Sequence, residues 1–273
     1  MGLSKILPVI SGQENSLPGL DYQELIDKGI KVPEFIEQNV ALDFSFDIGE
    51  NSFNARNTPY RLVTEGKSYG MLSNTAGKYL SINAGGLNGF PTSILDSKNM
   101  FYAGVFNYRN PSPETALQVL AATATGTGSE GGEFLFLQSP NRDIIVNVRG
   151  HTNWPRIFRS ELVAQGLNEE NALGFLFIAV SAEEQVNGEV KHTLFVGAPT
   201  PLTSQATGPK TVSTIGNTLS IGNAYIDTSA AYDEMIIRCA RFTAGNAPKT
   251  IAEMNEMYRR AKIVAARRGV SVF

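Results

Sequence analysis

The chain has 273 residues, 42% of them hydrophobic and 18% charged, with 23 Lys and Arg against 26 Asp and Glu. A net charge of -3 leaves no global field to draw nucleic acid or an anionic membrane, and no apolar run reaches the roughly 18 residues that a membrane-spanning helix needs. The length suits one large β domain or two small ones, and the single Cys239 excludes an internal disulfide and fits folding in a reducing cytoplasm.

Residues 1–39 read as an N-terminal arm. MGLSKILPVISGQEN has neither the apolar core nor the small-residue cleavage site of a secretory signal, and Ile6 stands where a myristoylation motif has Ser or Thr. A short helix is expected from Tyr22 to Lys28, capped by Asp21 with Glu24 at the capping-box position and stopped at Gly29. So little apolar area offsets poorly the ordering cost of about 1–2 kcal/mol per residue, which predicts that the arm leans on another chain.

From Val40 to Ala247 the sequence alternates apolar and polar residues between turn signals. VALDFSFDI, KYLSI, MFYAGVFNY, GEFLFLQ, RDIIVNVRG, LGFLFIAVS, KHTLFVG, TLSIG and YDEMIIRCARF read as strands, and Asn187-Gly188 reads as a hairpin turn. Phe44, Phe46, Phe134, Phe136, Phe177, Phe195 and Ile237 are expected between two sheets. The glycine-rich ATATGTGSEGGE, residues 121–132, precedes a strand and lacks the Lys-Ser/Thr of a phosphate loop; it reads as a mobile hairpin loop at the sandwich edge. Many short strands without interleaved helices predict an all-β, two-sheet antiparallel sandwich.

Residues 248–273 read as a C-terminal helix and tail. Thr250 and Glu253 form a capping box, and Ile251, Met254, Tyr258 and Ala261 make one apolar stripe. Arg259, Arg260, Lys262, Arg267 and Arg268 crowd the other surface ahead of Val270, Val272 and Phe273. This basic end and Phe273 are expected to meet a neighbouring subunit.

LGFLFIAVS, KHTLFVGAP, TLSIGNAY and then YDEMIIRCARF leading to a helix that ends in Tyr258 form a sequence that resembles the concanavalin A-like, laminin-G-like lectin and glucanase superfamily. Asp233-Glu234, Ile221-Gly222 and the stretch Glu253 to Tyr258 sit where that superfamily has its Asp-Glu, its Ile-Gly and its terminal helix; Val196-Gly197 stands in place of its Asp-Gly turn. The resemblance implies a jelly roll used for glycan binding, glycan cleavage or protein contact.

The chemistry points away from cleavage. Sugar-cleaving members place two carboxylates on one strand face as E-x-D-x-x-E, for use as nucleophile and acid, and no such string is present. Glu169-Glu170 and Glu183-Glu184 read as solvated charges. His151 and His192 are the two histidines, with His192 expected on a solvent face. Neither a zinc nor a calcium ligand set is apparent, and no cofactor is expected. RGHTNWPRIF and FNYRNPSP place Trp154 beside His151, Asn153 and Arg156, and Tyr108 beside Asn107 and Arg109. Sugars bind where an aromatic face meets amide and guanidinium donors; Trp154 either serves that contact or plugs the end of the sandwich. The expectation is therefore a non-enzymatic structural or adhesion subunit of a homo-oligomeric assembly. A phage virion protein made in the host cytoplasm fits best; the alternative is a carbohydrate-binding or polysaccharide-degrading protein.

Overall fold

Alternation of period two builds two antiparallel sheets whose inner faces share one core. The computed structural model describes residues 36–273 apart from 38, 47–52, 75–76, 84–86, 109–116, 126–127, 139–140, 168–173, 227–235 and 267–269. Residues 1–35 of the N-terminal arm with its expected helix, Asp233-Glu234, Glu169-Glu170, Arg109, Arg267 and Arg268 lie outside the described residues.

In chain order the strands are β1 (Leu42–Ser45), β2 (Tyr69–Asn74), β3 (Gly77–Asn83), β4 (Phe90–Leu95), β5 (Met100–Asn107), β6 (Leu117–Ala122), β7 (Glu133–Gln138), β8 (Asp143–Val148), β9 (Arg156–Ile157), β10 (Phe175–Glu184), β11 (Val190–Val196), β12 (Leu202–Gly208), β13 (Thr218–Ile221) and β14 (Ile236–Gly245). Helix α1 spans Arg159–Ala164 and helix α2 spans Ile251–Ala266. The larger sheet runs β12-β11-β10-β5-β14-β3-β2, with β1 also paired to β14; the smaller runs β4-β13-β6-β7-β8-β9. The chain is the all-β sandwich that its sequence predicts.

Three apolar clusters hold it together. Between the sheets, Phe44, Phe46, Leu80, Tyr102, Phe106, Ile178, Leu194 and Ile237 face Phe90, Leu135, Leu137, Ile144, Val146 and Ile221. Phe177 and Phe195 are also buried, but on the outer face of the larger sheet, against Met254, Met257 and Tyr258 of α2. Phe134 and Phe136 are buried on the outer face of the smaller sheet with Val119, Ile145 and Ile226. The expected core residues are all inside the protein, yet four of the seven face away from the gap between the sheets. A strand covered on both faces is apolar at every position, so its inward parity is hidden; the eight residues of β5 are all buried.

On β14, Ile237 and Cys239 point inward, and a register shift between Cys239 and Arg241 against β5 restores inward parity at Phe242 and Ala244. This bulge turns Arg241 outward toward α2. There its guanidinium pairs with Asp43 at 3.2 Å and lies 3.5 Å from Glu37, which also takes Arg260 of α2 at 2.9 Å.

Thr250 and Glu253 form the expected capping box: Thr250 Oγ1 accepts from the Glu253 amide at 3.2 Å and Glu253 Oε2 accepts from the Thr250 amide at 2.8 Å. The buried stripe is Met254, Met257, Tyr258, Ala261, Val264 and Ala265, so α2 docks over almost its whole length. Ile251, expected in the stripe, is exposed, because it precedes the first turn that reaches the sheet. The tail also turns back onto its own sandwich. Val270 and Val272 are buried, Val272 bridges Phe175 in parallel, the Phe273 amide donates to Phe175 O at 2.9 Å, and Tyr258 Oη donates to Phe273 O at 2.6 Å. Of the residues expected to face a partner, Arg260 and Phe273 are thus engaged within the chain, and Lys262 Nζ lies 5.3 Å from the centre of the Tyr258 ring. Arg259 stays largely exposed, paired with Glu256.

The described part of the glycine-rich stretch, which leaves out residues 126–127, is not a loose loop. Gly131 and Gly132 adopt φ of +75° and +93°, and a Cβ on Gly132 would meet the Ala124 backbone at 2.6 Å. The Gly132 amide donates to Thr211 O and the Thr214 amide to Glu130 O. The glycines let β6 and β7 close tightly against residues 211–214, and that closure fixes Thr123 and Glu133 at one end of the sandwich.

Candidate functional site

Two groups of polar residues stand out, one on the surface and one sealed beneath it. The surface group lies along β9, the edge of the smaller sheet. β8 supports it: Ile145 pairs with Arg156 and Ile144 with Ile157, and the Val146 amide donates to Pro155 O. On the other side the Arg156 amide donates to Ser204 Oγ of β12 at 3.0 Å, so β9 closes the gap between the edges of both sheets. The chain stays extended to Phe158, at φ -78° and ψ 143°. Arg156 and Phe158 therefore project to one side, and Trp154 stands two residues before Arg156, ahead of the strand.

That side faces solvent. Trp154 is 46% exposed and Phe158 49%, and the Arg156 guanidinium lies over the Phe158 ring, 4.7 Å from its centre, a cation-π contact. Asp143 orients the guanidinium, accepting from Arg156 Nε at 3.0 Å and from its NH2 group. The other Asp143 oxygen accepts from the Arg159 amide at 2.9 Å, capping α1 from a neighbouring strand. The carboxylate is thus fully engaged. Asn153 is exposed next to Trp154.

Of the five residues suggested as sugar contacts, Asn153 and Trp154 are exposed and Arg156 is half-buried along this stretch. Tyr108 is buried, and its hydroxyl donates to Arg142 O at 2.5 Å. His151 is buried as well, its ring edge-on to His192 at 4.9 Å. Phe158 was not among the five. The alternation Trp154-x-Arg156-x-Phe158 is the signal that points to it.

The sealed group lies at the end of the inter-sheet core. His192, expected at the surface, is fully buried, because it alternates with Val190, Leu194 and Val196 on the inner face of β11. Its Nε2 lies 2.9 Å from Glu133 Oε2, and Lys210 Nζ donates to the same oxygen at 2.6 Å. Lys210 Nζ also reaches Asp96 Oδ1 at 2.9 Å, Ser97 O at 2.7 Å and Met100 Sδ at 3.4 Å. Burial alone would raise the Glu133 carboxyl, but the Lys210 and His192 charges and hydrogen bonds hold it well below the usual carboxylate range. Burial works against the Lys210 ammonium, and Glu133 and Asp96 overcome it and raise it. The Tyr102 phenol is pushed well above its ordinary value by burial and by the Glu133 charge. Burial, with His192 beside it, lowers His151 from 6.5.

Two of these shifts set the sign of separate contributions to the acid response. The unfolded chain protonates His151 near 6.5 while the folded chain resists, so stability falls as the pH drops below that value. Glu133 is depressed, so its contribution is complete above its ordinary 4.5 and is lost as the pH falls further toward the folded value. Unfolding midpoints measured from about pH 8 to about pH 3 should therefore decline in two stages. A His151→Gln variant should lose the first stage and keep the second; a variant that keeps both would contradict this assignment.

The sequence matches no family model and no curated protein. Among solved structures, the binding domain of Paraclostridial Mosquitocidal Protein 1 aligns with a TM-score of 0.51 at 10% identity, over 81% of this chain and 52% of that one. A botulinum neurotoxin type C structure, described with cell entry dependent upon interaction with two ganglioside molecules, gives 0.49 at 9% identity over 81% and 50% of the two chains. The marine PL-14 alginate lyase from Aplysia kurodai gives 0.47 at 10% identity over 77% and 100%. This chain spans about half the length of the two toxin chains. At such identities the likeness is one of fold alone, a two-sheet β-sandwich.

Proposed function

We propose that this chain is a non-enzymatic carbohydrate-binding module of the adhesion type, and that the row of Trp154, Arg156 and Phe158, with Asn153, meets the sugar. The observation that carries the reading is the exposure of the sole tryptophan and of Phe158 on either side of an edge strand, with the Arg156 guanidinium held over the Phe158 ring. A pyranose presents an apolar face and a polar rim, and this row offers aromatic faces with amide and guanidinium donors. Two features support a role without catalysis. Asp143, the carboxylate beside Arg156 on the neighbouring β8, is buried and occupied by Arg156 and the Arg159 amide. Glu133, Lys210 and His192 are sealed from solvent, with no exposed side-chain surface.

The test is a glycan array followed by titration of the strongest ligand. Trp154→Ala should weaken binding about tenfold or more, equivalent to about 1.4 kcal/mol, without changing the thermal unfolding midpoint. Binding that survives both Trp154→Ala and Phe158→Ala would place the sugar elsewhere. A place in a larger assembly, such as a phage virion, is a second reading, supported by Arg259 standing out from α2. It requires self-association or particle binding that Arg259→Glu weakens.

A further inference from the structure

Lys210 follows β12 of the larger sheet and Asp96 follows β4 of the smaller one, 114 positions earlier in the chain. Their charged ends meet inside the sandwich, Nζ to Oδ1 at 2.9 Å, with 0% and 1% of the two side chains exposed. Glu133, equally sealed, places Oε2 2.6 Å from the same nitrogen. Asp96 is held from its far side: Thr123 Oγ1 donates to Oδ1 at 2.9 Å and the Ser213 amide donates to Oδ2 at 2.7 Å. A lysine nitrogen at a carboxyl group, a second carboxylate on that nitrogen and two donors on the carboxyl oxygens are the parts of an acyl transfer.

We propose that Lys210 and Asp96 condense into an isopeptide bond, with Glu133 carrying the protons, so that the mature protein holds a covalent cross-link between its two sheets. A proton leaves the Lys210 ammonium by way of Glu133 and settles on Asp96, against the ion-paired arrangement in which the cluster rests, so the neutral amine and the carboxylic acid that react are a minor state of the cluster. Nζ then attacks Asp96 Cγ, forming the N–C bond, while the Ser213 amide and the Thr123 hydroxyl stabilise charge on the carboxyl oxygens. Glu133 then relays a second proton from nitrogen to the departing oxygen, and the C–O bond breaks with loss of water. The ammonium and the carboxylate become one neutral secondary amide and one water, with nothing oxidised or reduced and no co-reactant needed.

Three physical arguments favour the step. Groups held at van der Waals contact react with effective concentrations of about 10^5 to 10^8 M. The product removes one positive and one negative charge from a water-excluded interior, where each is costly to keep. The same enclosure keeps out the water that would hydrolyse the bond. The competing state is the ion pair itself, which the present contacts also satisfy. Glu133 remains hydrogen-bonded to His192 in either case.

The test is the intact mass of the purified full-length protein, measured after denaturation. The folded wild type should be one water lighter than its sequence, and digestion should yield a branched peptide joining Asp96 to Lys210. Lys210→Arg and Asp96→Ala should show the full sequence mass. Glu133→Gln should do the same while keeping a β-type circular dichroism spectrum. Full sequence mass in folded wild type overturns the proposal and leaves an ion pair only. Loss of water confined to a linear peptide around Asp96-Ser97, and reversed by mild base, is a succinimide and overturns it too.

Discussion

Glu133→Ala should destabilise the protein by about 3–5 kcal/mol, the range for removing one partner of a buried charged pair. The carboxylate is the shared acceptor of Lys210 and His192, and none of the three side chains is exposed. With Lys210 as an ammonium, truncation strands positive charge in a cavity that cannot be hydrated cheaply. With Lys210 acylated by Asp96, truncation removes the proton carrier and with it the cross-link, which for a loop of this length is worth about 4–5 kcal/mol. Both routes lead to a loss of similar size. Denaturant unfolding followed by far-ultraviolet circular dichroism reads it, whereas tryptophan emission is a poor probe because Trp154 is 46% exposed in the folded state. Glu133→Ala within about 1 kcal/mol of wild type would mean that the cluster contributes little to stability.

The second large effect concerns the seat of α2. Gly197 ends β11 beneath the Tyr258 ring, and a Cβ there would lie 2.3 Å from Tyr258 Cδ2. Gly197→Ala should therefore unseat the helix, at a cost of about 1–3 kcal/mol for overpacking. Tyr258→Ala removes a buried ring that touches Phe177 and Phe195 and holds the tail carbonyl of Phe273, at about 3–5 kcal/mol. The double variant should cost clearly less than the sum, because the alanine methyl enters space that the ring has left. A double-mutant cycle measures this coupling; strict additivity would show that the two residues do not share the space.

The strands read directly from the sequence were β1, β3, β5, β7, β8, β10, β11, β13 and β14, nearly all from the middle of the sheets. The four sheet edges were not read. β12, LTSQATG, alternates between half-buried and exposed residues with little apolar content. β4 contains Pro91 and exposes Leu95, β9 has only two residues, and β2 contains Gly70. Edge strands are kept short, polar or interrupted so that they do not pair with other chains, and this weakens the pattern that reveals them. LQVLAA of β6 is rich in helix formers, and its neighbours alone make it a strand. At the candidate site, Trp154, Asn153 and Arg156 were legible because they are close in sequence. The sealed group was not read: His192 was expected on a solvent face, although it and Glu133 each alternate with inward apolar residues. Nothing local marks Lys210, whose burial depends on where an edge strand delivers it.

β14 serves two strands end to end on one side, β3 along Ile236–Cys239 and β1 along Arg241–Ala244. β1 pairs with β14 alone, and its Asp43 meets Arg241 from 198 positions away. A ribosome adding about 5–20 residues per second makes β14 roughly 10–40 s after β1. Throughout that interval Leu42, Phe44 and Phe46 lack the partner that covers them in the finished sandwich. The nascent chain therefore carries an apolar strand waiting for its mate, and the yield of soluble protein should respond to holdase chaperones and to translation speed more than to the stability of the final fold.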